Sequence, residues 1–203
     1  MNALTQVTEG LWRWKWFSDE KRMNFNGFCL GLRDGLVLVD PAYAGEETWR
    51  EIENLGRPGN ILLTNKDHER ASDELRQRYK IPVWIHEADA PLLSAPPERT
   101  FQDGALLWGE LETIRFRALK SPGECAFLWK ERKILIVGDA VTGHPAGSIG
   151  LVKKHLGRAA VLEEIKKLPA LDFETLLVGD GEPFLSGGKQ ALKAFLESRP
   201  ASV

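Results

Sequence analysis

The chain has 203 residues, 43% of them hydrophobic and 28% charged, enough apolar material for a sizeable core without disulfide or metal staples, and it fits no disordered class. A net charge of -2, with basic residues spread along the chain and not gathered in a block, excludes a strong electrostatic footprint for nucleic acid. Cys29 and Cys125 are too few for a disulfide framework, the first residues lack a signal-peptide pattern, and no apolar run nears the roughly 20 residues of a spanning helix, so one non-membrane domain over 1–203 in the cytoplasm is expected.

Leu11 to Phe17 reads as an aromatic strand, on which Trp12, Trp14 and Trp16 alternate and therefore share one face. Core or interface packing explains that face better than a platform for stacking bases, and self-association through it is one expectation. Gly27 to Leu32, the turn Arg33-Asp34-Gly35 and Leu36 to Val39 read as a hairpin. Its second strand is apolar throughout, as expected where both sheet faces are covered, and it ends at Asp40-Pro41. Glu46 to Leu55 follows as a helix. Asn60 to Thr64 is a short buried strand, followed by a polar turn and a helix with apolar Ala71, Leu75 and Tyr79. Ile81 to His86 restarts a strand, Glu87 to Leu93 is a short helical segment, and Pro96-Pro97 marks a loop.

The second half repeats the style, with paired strands over Gly104 to Leu119, a strand at Ala126 to Trp129, a turn at Lys130 to Lys133, and a strand from Ile134 that ends on Gly138-Asp139. Ala159 to Leu168 is a helix, Glu174 to Val178 a strand, Gly179 to Glu182 a turn and Lys189 to Leu196 a closing helix. Two β-rich halves, each with covering helices, predict an α/β fold layered as an αββα sandwich.

Four loops at strand ends carry polar clusters: Thr64-Asn65-Lys66-Asp67-His68-Glu69-Arg70, Ser121-Pro122-Gly123-Glu124, Gly138-Asp139-Ala140, and Gly179-Asp180-Gly181-Glu182-Pro183. Their order and spacing resemble the metallo-β-lactamase superfamily, from about Val7 to the last helix. In that family the first loop is T-H-x-H-x-D-H, the second centres on P-G-H, the third on G-D and the fourth on G-H-G. The glycine, proline and aspartate frame matches, while the ligands do not. The resemblance puts the first metal site on Asn65, Asp67 and Glu124, where three histidines are expected, and the second on Glu69, Arg70 and Asp180. The bridging aspartate is kept as Asp139.

A catalytic zinc site draws on imidazole or thiolate donors, whereas these positions offer an amide and carboxylates, which favour magnesium, manganese or calcium. Five acids, Asp67, Glu69, Glu124, Asp139 and Asp180, facing only Arg70 would repel one another. A divalent cation, protonation of one or two acids, or an approach of Lys66 or Lys120 would each relieve that repulsion. Arg70 is expected to enter the cavity and pair with Asp139 or Asp180, its fixed charge standing where a metal would. His68 and His144 are further cavity candidates, His86 a structural residue, His155 a surface residue and Cys125 a buried small hydrophobe. The expected function is a zinc-free binding or pseudo-hydrolase domain, and the lost histidines imply that no cofactor is needed. The alternative is a hydrolase of an ester, thioester or phosphoester with a hard cation on Asp67, Glu124 and Asp139. Either takes a small molecule as its ligand.

Overall fold

The computed structural model describes residues 4–199. Seven strands run in the first sheet: β1 (Thr5–Thr8), β2 (Leu11–Ser18), β3 (Met23–Leu32), β4 (Gly35–Val39), β5 (Pro58–Leu62), β6 (Val83–His86) and β7 (Arg99–Phe101), paired in that order. The second sheet holds β8 (Leu106–Leu107), β9 (Leu111–Arg115), β10 (Cys125–Trp129), β11 (Ile134–Val137) and β12 (Thr175–Val178), also in sequence order. Strands β1 to β4 form an antiparallel meander, in which Gly35 takes the positive φ of +119° that closes the β3–β4 turn. Strands β4, β5 and β6 are parallel, joined by crossover helices α1 (Glu46–Leu55) and α2 (Ser72–Tyr79).

The alternation along the strands sorts the apolar residues into three layers. Phe28, Leu30, Val37 and Val39 of the first sheet meet Leu111, Phe127, Trp129 and Ile136 of the second in the central core. Leu38, Ile61 and Ile85 face α1 and α2 through Trp49, Ile52 and Leu75. Leu128, Leu135 and Val178 face α3 (Ala159–Ile165) and α4 (Gly188–Glu197) through Val161, Ile165 and Leu192. The result is the expected αββα sandwich. The indole stripe on β2 faces the α1 side: Trp14 is buried edge-on against Trp49 at 5.7 Å and donates Nε1–H to the Ala42 carbonyl at 2.8 Å, with Trp12 and Trp16 packed beside it.

Several boundaries differ from the sequence expectation. The strand expected at Asn60 to Thr64 ends at Leu62, because the Thr64 N–H is diverted from the ladder to the Asp40 carboxylate at 2.8 Å. Strands β1 and β7 escaped the sequence reading; both are short and mostly exposed, so neither shows a buried apolar period. No helix among the described residues is long and apolar enough to cross a membrane.

Candidate functional site

The parallel strands β4 and β5, and β11 and β12, deliver their C-terminal ends to one edge of the sandwich. Asp40 follows β4, the loop of Thr64 to Arg70 follows β5, Asp139 follows β11 and Asp180 follows β12. Backbone bonds lace the two sheets together there: Cys125 N–H to the Thr64 carbonyl and Asn26 N–H to the Gly179 carbonyl, each 2.8 Å.

At the centre lies a buried histidine. The turn Lys66–His68 is opened by the Asn65 side chain, which accepts the Asp67 N–H at 2.9 Å, and it turns the His68 ring inward. Asp40, wholly buried, accepts the Thr64 hydroxyl at 2.6 Å and His68 Nδ1–H at 2.7 Å. An ionised carboxylate only accepts, so the proton sits on Nδ1, and Nε2 is aimed at Asp139 Oδ1, 3.6 Å away. The glycines of the motif frame make this room. A Cβ on Gly179 would overlap His68 Cε1, and one on Gly138 would lie 2.6 Å from both Asn65 Nδ2 and Glu124 Oε1.

The acids expected to repel are matched one by one. Lys120 Nζ lies 2.5 Å from Asp139 and 2.8 Å from Asp67, whose other oxygen takes Lys66 Nζ at 2.5 Å. Arg70 enters the site with its side chain 6% exposed and donates Nη2–H to Asp180 at 2.6 Å and Nη1–H to the Asn26 carbonyl at 3.1 Å, its guanidinium stacked 4.4 Å over Phe25. Glu124 is fully buried, accepts Asn65 Nδ2–H at 3.1 Å and the Asp139 N–H at 2.7 Å through one oxygen, and leaves Oε2 unpartnered.

The ionisation follows from these contacts. Burial, and then the Asp139 charge, push the Glu124 carboxyl well above the usual range, which favours its neutral form. Burial and Arg70 act to lower His68, yet Asp40 and Asp139 outweigh them and raise it to about 10, giving an imidazolium. Burial alone would raise Asp139, but His68 and Lys120 hold it far below the carboxylate range. Burial likewise opposes the charge on Lys120, which Asp139 and Asp67 restore and strengthen. Of the three routes to charge relief, this arrangement uses the approach of the two lysines, with Glu124 shifted toward its protonated form beside them.

Asp67, His68, Arg70, Glu124, Asp139 and Asp180 thus gather with Asn65, and other expectations need correction. Glu69 turns away from the cavity and accepts from the Ser94 N–H and, at 2.6 Å, the Ser94 hydroxyl. His144 stands in solvent beyond Gly143. His155, expected on the surface, is buried because its Nε2 accepts the Lys120 N–H at 3.1 Å. The hard-cation set of Asp67, Glu124 and Asp139 is not assembled, since Asp67 is spent on the lysines and Glu124 on Asn65. Among the described residues, His68, Asp139 and Asp180 are instead the group whose ligand atoms lie within 4.8 Å of one another. Sequence reasoning also missed Asp40 and Asp89. Buried Asp89 accepts the Lys66 N–H at 2.9 Å, the Ser121 hydroxyl at 2.5 Å and the Gly123 N–H at 2.7 Å, tying the two lysine-bearing loops together. The one signal for Asp40 was its place at the end of an apolar strand.

A pair of zinc ions does not fit these residues: the three positions of the first site carry no imidazole, and Asn65 and Glu124 are bonded to each other. One ion on His68 Nε2, Asp139 and Asp180 has a suitable donor set, with His68 oriented by Asp40 as metal-binding histidines are by carboxylates.

The profile of the metallo-β-lactamase superfamily matches residues 1–199. A Bacillus subtilis protein described as the probable metallo-hydrolase YqgX is 28% identical, over 80% of this chain and 92% of its own. Among solved structures, a metallo-β-lactamase from Pontibacter korlensis aligns with a TM-score of 0.75 at 16% identity over 98% of this chain and 100% of that one. A metallo-β-lactamase from Erythrobacter litoralis aligns with a TM-score of 0.74 at 16% identity over 97% and 96%.

Proposed function

The chain belongs to the metallo-β-lactamase superfamily, and from that premise we propose that it is a member in which side-chain cations stand in for the two-zinc centre. It acts as a small-molecule-binding or pseudo-hydrolase domain and not as an ordinary zinc hydrolase. The observation that supports this reading is the pairing of four aspartates of the site with side-chain cations: Lys120 on Asp139, Lys66 and Lys120 on Asp67, His68 on Asp40, and Arg70 on Asp180. A cation held at these positions by the fold does what a metal does for such acids without needing to be bound from solution. Elemental analysis of protein purified without chelator or added metal tests it. Well under one zinc per chain is expected, with no hydrolysis of a chromogenic β-lactam above background. Stoichiometric zinc would overturn it.

A second reading is favoured by the convergence of His68, Asp139 and Asp180. One divalent ion held there would supply a polarised water for ester, thioester or phosphoester hydrolysis. Manganese, magnesium or zinc at millimolar concentration would then raise the melting temperature, because a ligand bound only by the folded state stabilises it, and Asp139→Asn would abolish the rise. No shift with any of the three ions is expected under the first reading.

A further inference from the structure

We propose that the mouth of this site receives a small oxyanion, a carboxylate or phosphate monoester, gripped between Lys66 and Lys120 in the place that the chain's own Asp67 carboxylate fills. The proposal rests on the reading that the cavity binds a small molecule without a zinc pair.

Two ammonium groups from different loops converge on the two oxygens of one carboxylate, at 2.5 and 2.8 Å. Such a clamp matches any group with two oxygens on one atom and a negative charge. It is positioned in advance. Lys66 is held through its N–H on Asp89, Ser121 and Gly123 hold the neighbouring loop on the same carboxylate, and Lys120 is pinned through its N–H on His155 and through Nζ on Asp139. Positioning of this kind lowers the ordering cost of binding.

Asp67 is the replaceable member. Its carboxylate is 37% exposed and, among the described residues, touches only the two lysines, whereas Asp139 behind it is 2% exposed. An incoming oxyanion that takes over both ammonium groups keeps each of them paired with negative charge, a carboxylate one for one and a phosphate monoester with some to spare, and releases Asp67 to water. An apolar or cationic ligand would instead strand two lysines beside each other. Asp67 therefore acts as an internal competitor, which limits the affinity for ligand and keeps the clamp closed when none is present.

The test is calorimetric or NMR titration of chelator-treated protein with inorganic phosphate and, separately, acetate at low salt. One saturable site per chain is expected for at least one anion. Phosphate alone would point to phosphate monoesters, acetate alone to carboxylates, and both to the shared oxyanion chemistry. Asp67→Asn should tighten binding by about tenfold or more, because the competitor is gone, and Lys66→Gln should weaken it by a similar factor. Lys66 is partly exposed and outside the buried cluster, so the Lys66→Gln variant is expected to fold, which its thermal melt checks. Absence of saturable binding at tens of millimolar in both wild type and Asp67→Asn overturns the proposal, as does equal affinity in all three proteins. Because metal has been stripped beforehand, a failure here is separate from the zinc analysis that decides the wider reading.

Discussion

Replacing Arg70 by methionine removes one cation from the site while keeping an unbranched side chain over Phe25. The guanidinium is 6% exposed and its partner Asp180 13%, so the substitution leaves a nearly buried carboxylate unpaired. Breaking a buried pair on one side costs about 3–5 kcal/mol, and loss of the bond to the Asn26 carbonyl adds roughly 1 kcal/mol, partly offset by methionine packing on the ring. A net loss of about 3 kcal/mol is expected at pH 7. With a urea slope of about 2 kcal/mol/M for a domain of this size, the unfolding midpoint falls by roughly 1.5 M. The double variant Arg70→Met with Asp180→Asn separates a stranded charge from mere loss of packing, because it removes the unpaired carboxylate as well. It should recover at least half of the lost stability. A single variant within about 0.5 kcal/mol of wild type, or a double variant no more stable than the single one, would refute the reasoning.

Other outcomes follow from the same contacts. His68 is raised above its ordinary value, to about 10, so the stability it contributes is fully present below pH 6.5 and is lost as pH climbs from 6.5 through about 10; NMR of its ring carbon should find it protonated at pH 8, and a neutral ring there would count against the Asp40–His68–Asp139 arrangement. Glu124 is a carboxyl whose folded value is also raised, which makes the folded state bind the extra proton and lose stability as pH rises above the ordinary carboxylate range. Glutamine keeps the acceptor oxygen for Asn65 and the Asp139 N–H, so Glu124→Gln should equal or exceed wild-type stability at pH 8, by a margin larger than at pH 5; a loss at pH 8 would mean that Glu124 works as a carboxylate.

The frame of the site was legible in the sequence because its glycines and aspartates are set by shape. Gly138 and Gly179 stand where any Cβ would collide with the Thr64–His68 loop, so those positions carry a local signature whatever chemistry the site performs. The entry of Arg70 was legible too, because a guanidinium in place of a ligand has few other ways to be satisfied beside Asp180. The role of His68 was not. In the family pattern its position is a spacer between ligands, and only the turn that follows Asn65, together with Asp40 from another strand, rotates the ring into the cluster. Asp89 was hidden for the same reason, since it lies outside all four motif loops and acts on two backbone N–H groups and the Ser121 hydroxyl, separated from it by 23 to 34 positions.

The charges of the site bear on why its frame and its ligands part company. Asp40, Asp67, Asp139 and Asp180 face Lys66, His68, Arg70 and Lys120, while burial shifts Glu124 toward its neutral form, so the four aspartates are balanced by the protein itself. A divalent ion on His68, Asp139 and Asp180 would have to take the Nε2 proton from His68, draw Asp139 away from Lys120 and separate Asp180 from Arg70. Each of those changes gives up an interaction that is already made in a low-dielectric setting, where losing a partner is costly. Metal affinity would therefore rise steeply with pH as His68 gives up its proton, and would be weakest where the imidazolium is most secure. The proposed exchange at Asp67 would ask for none of this, because an oxyanion arriving there would replace one anionic partner by another on lysines that the solvent can reach.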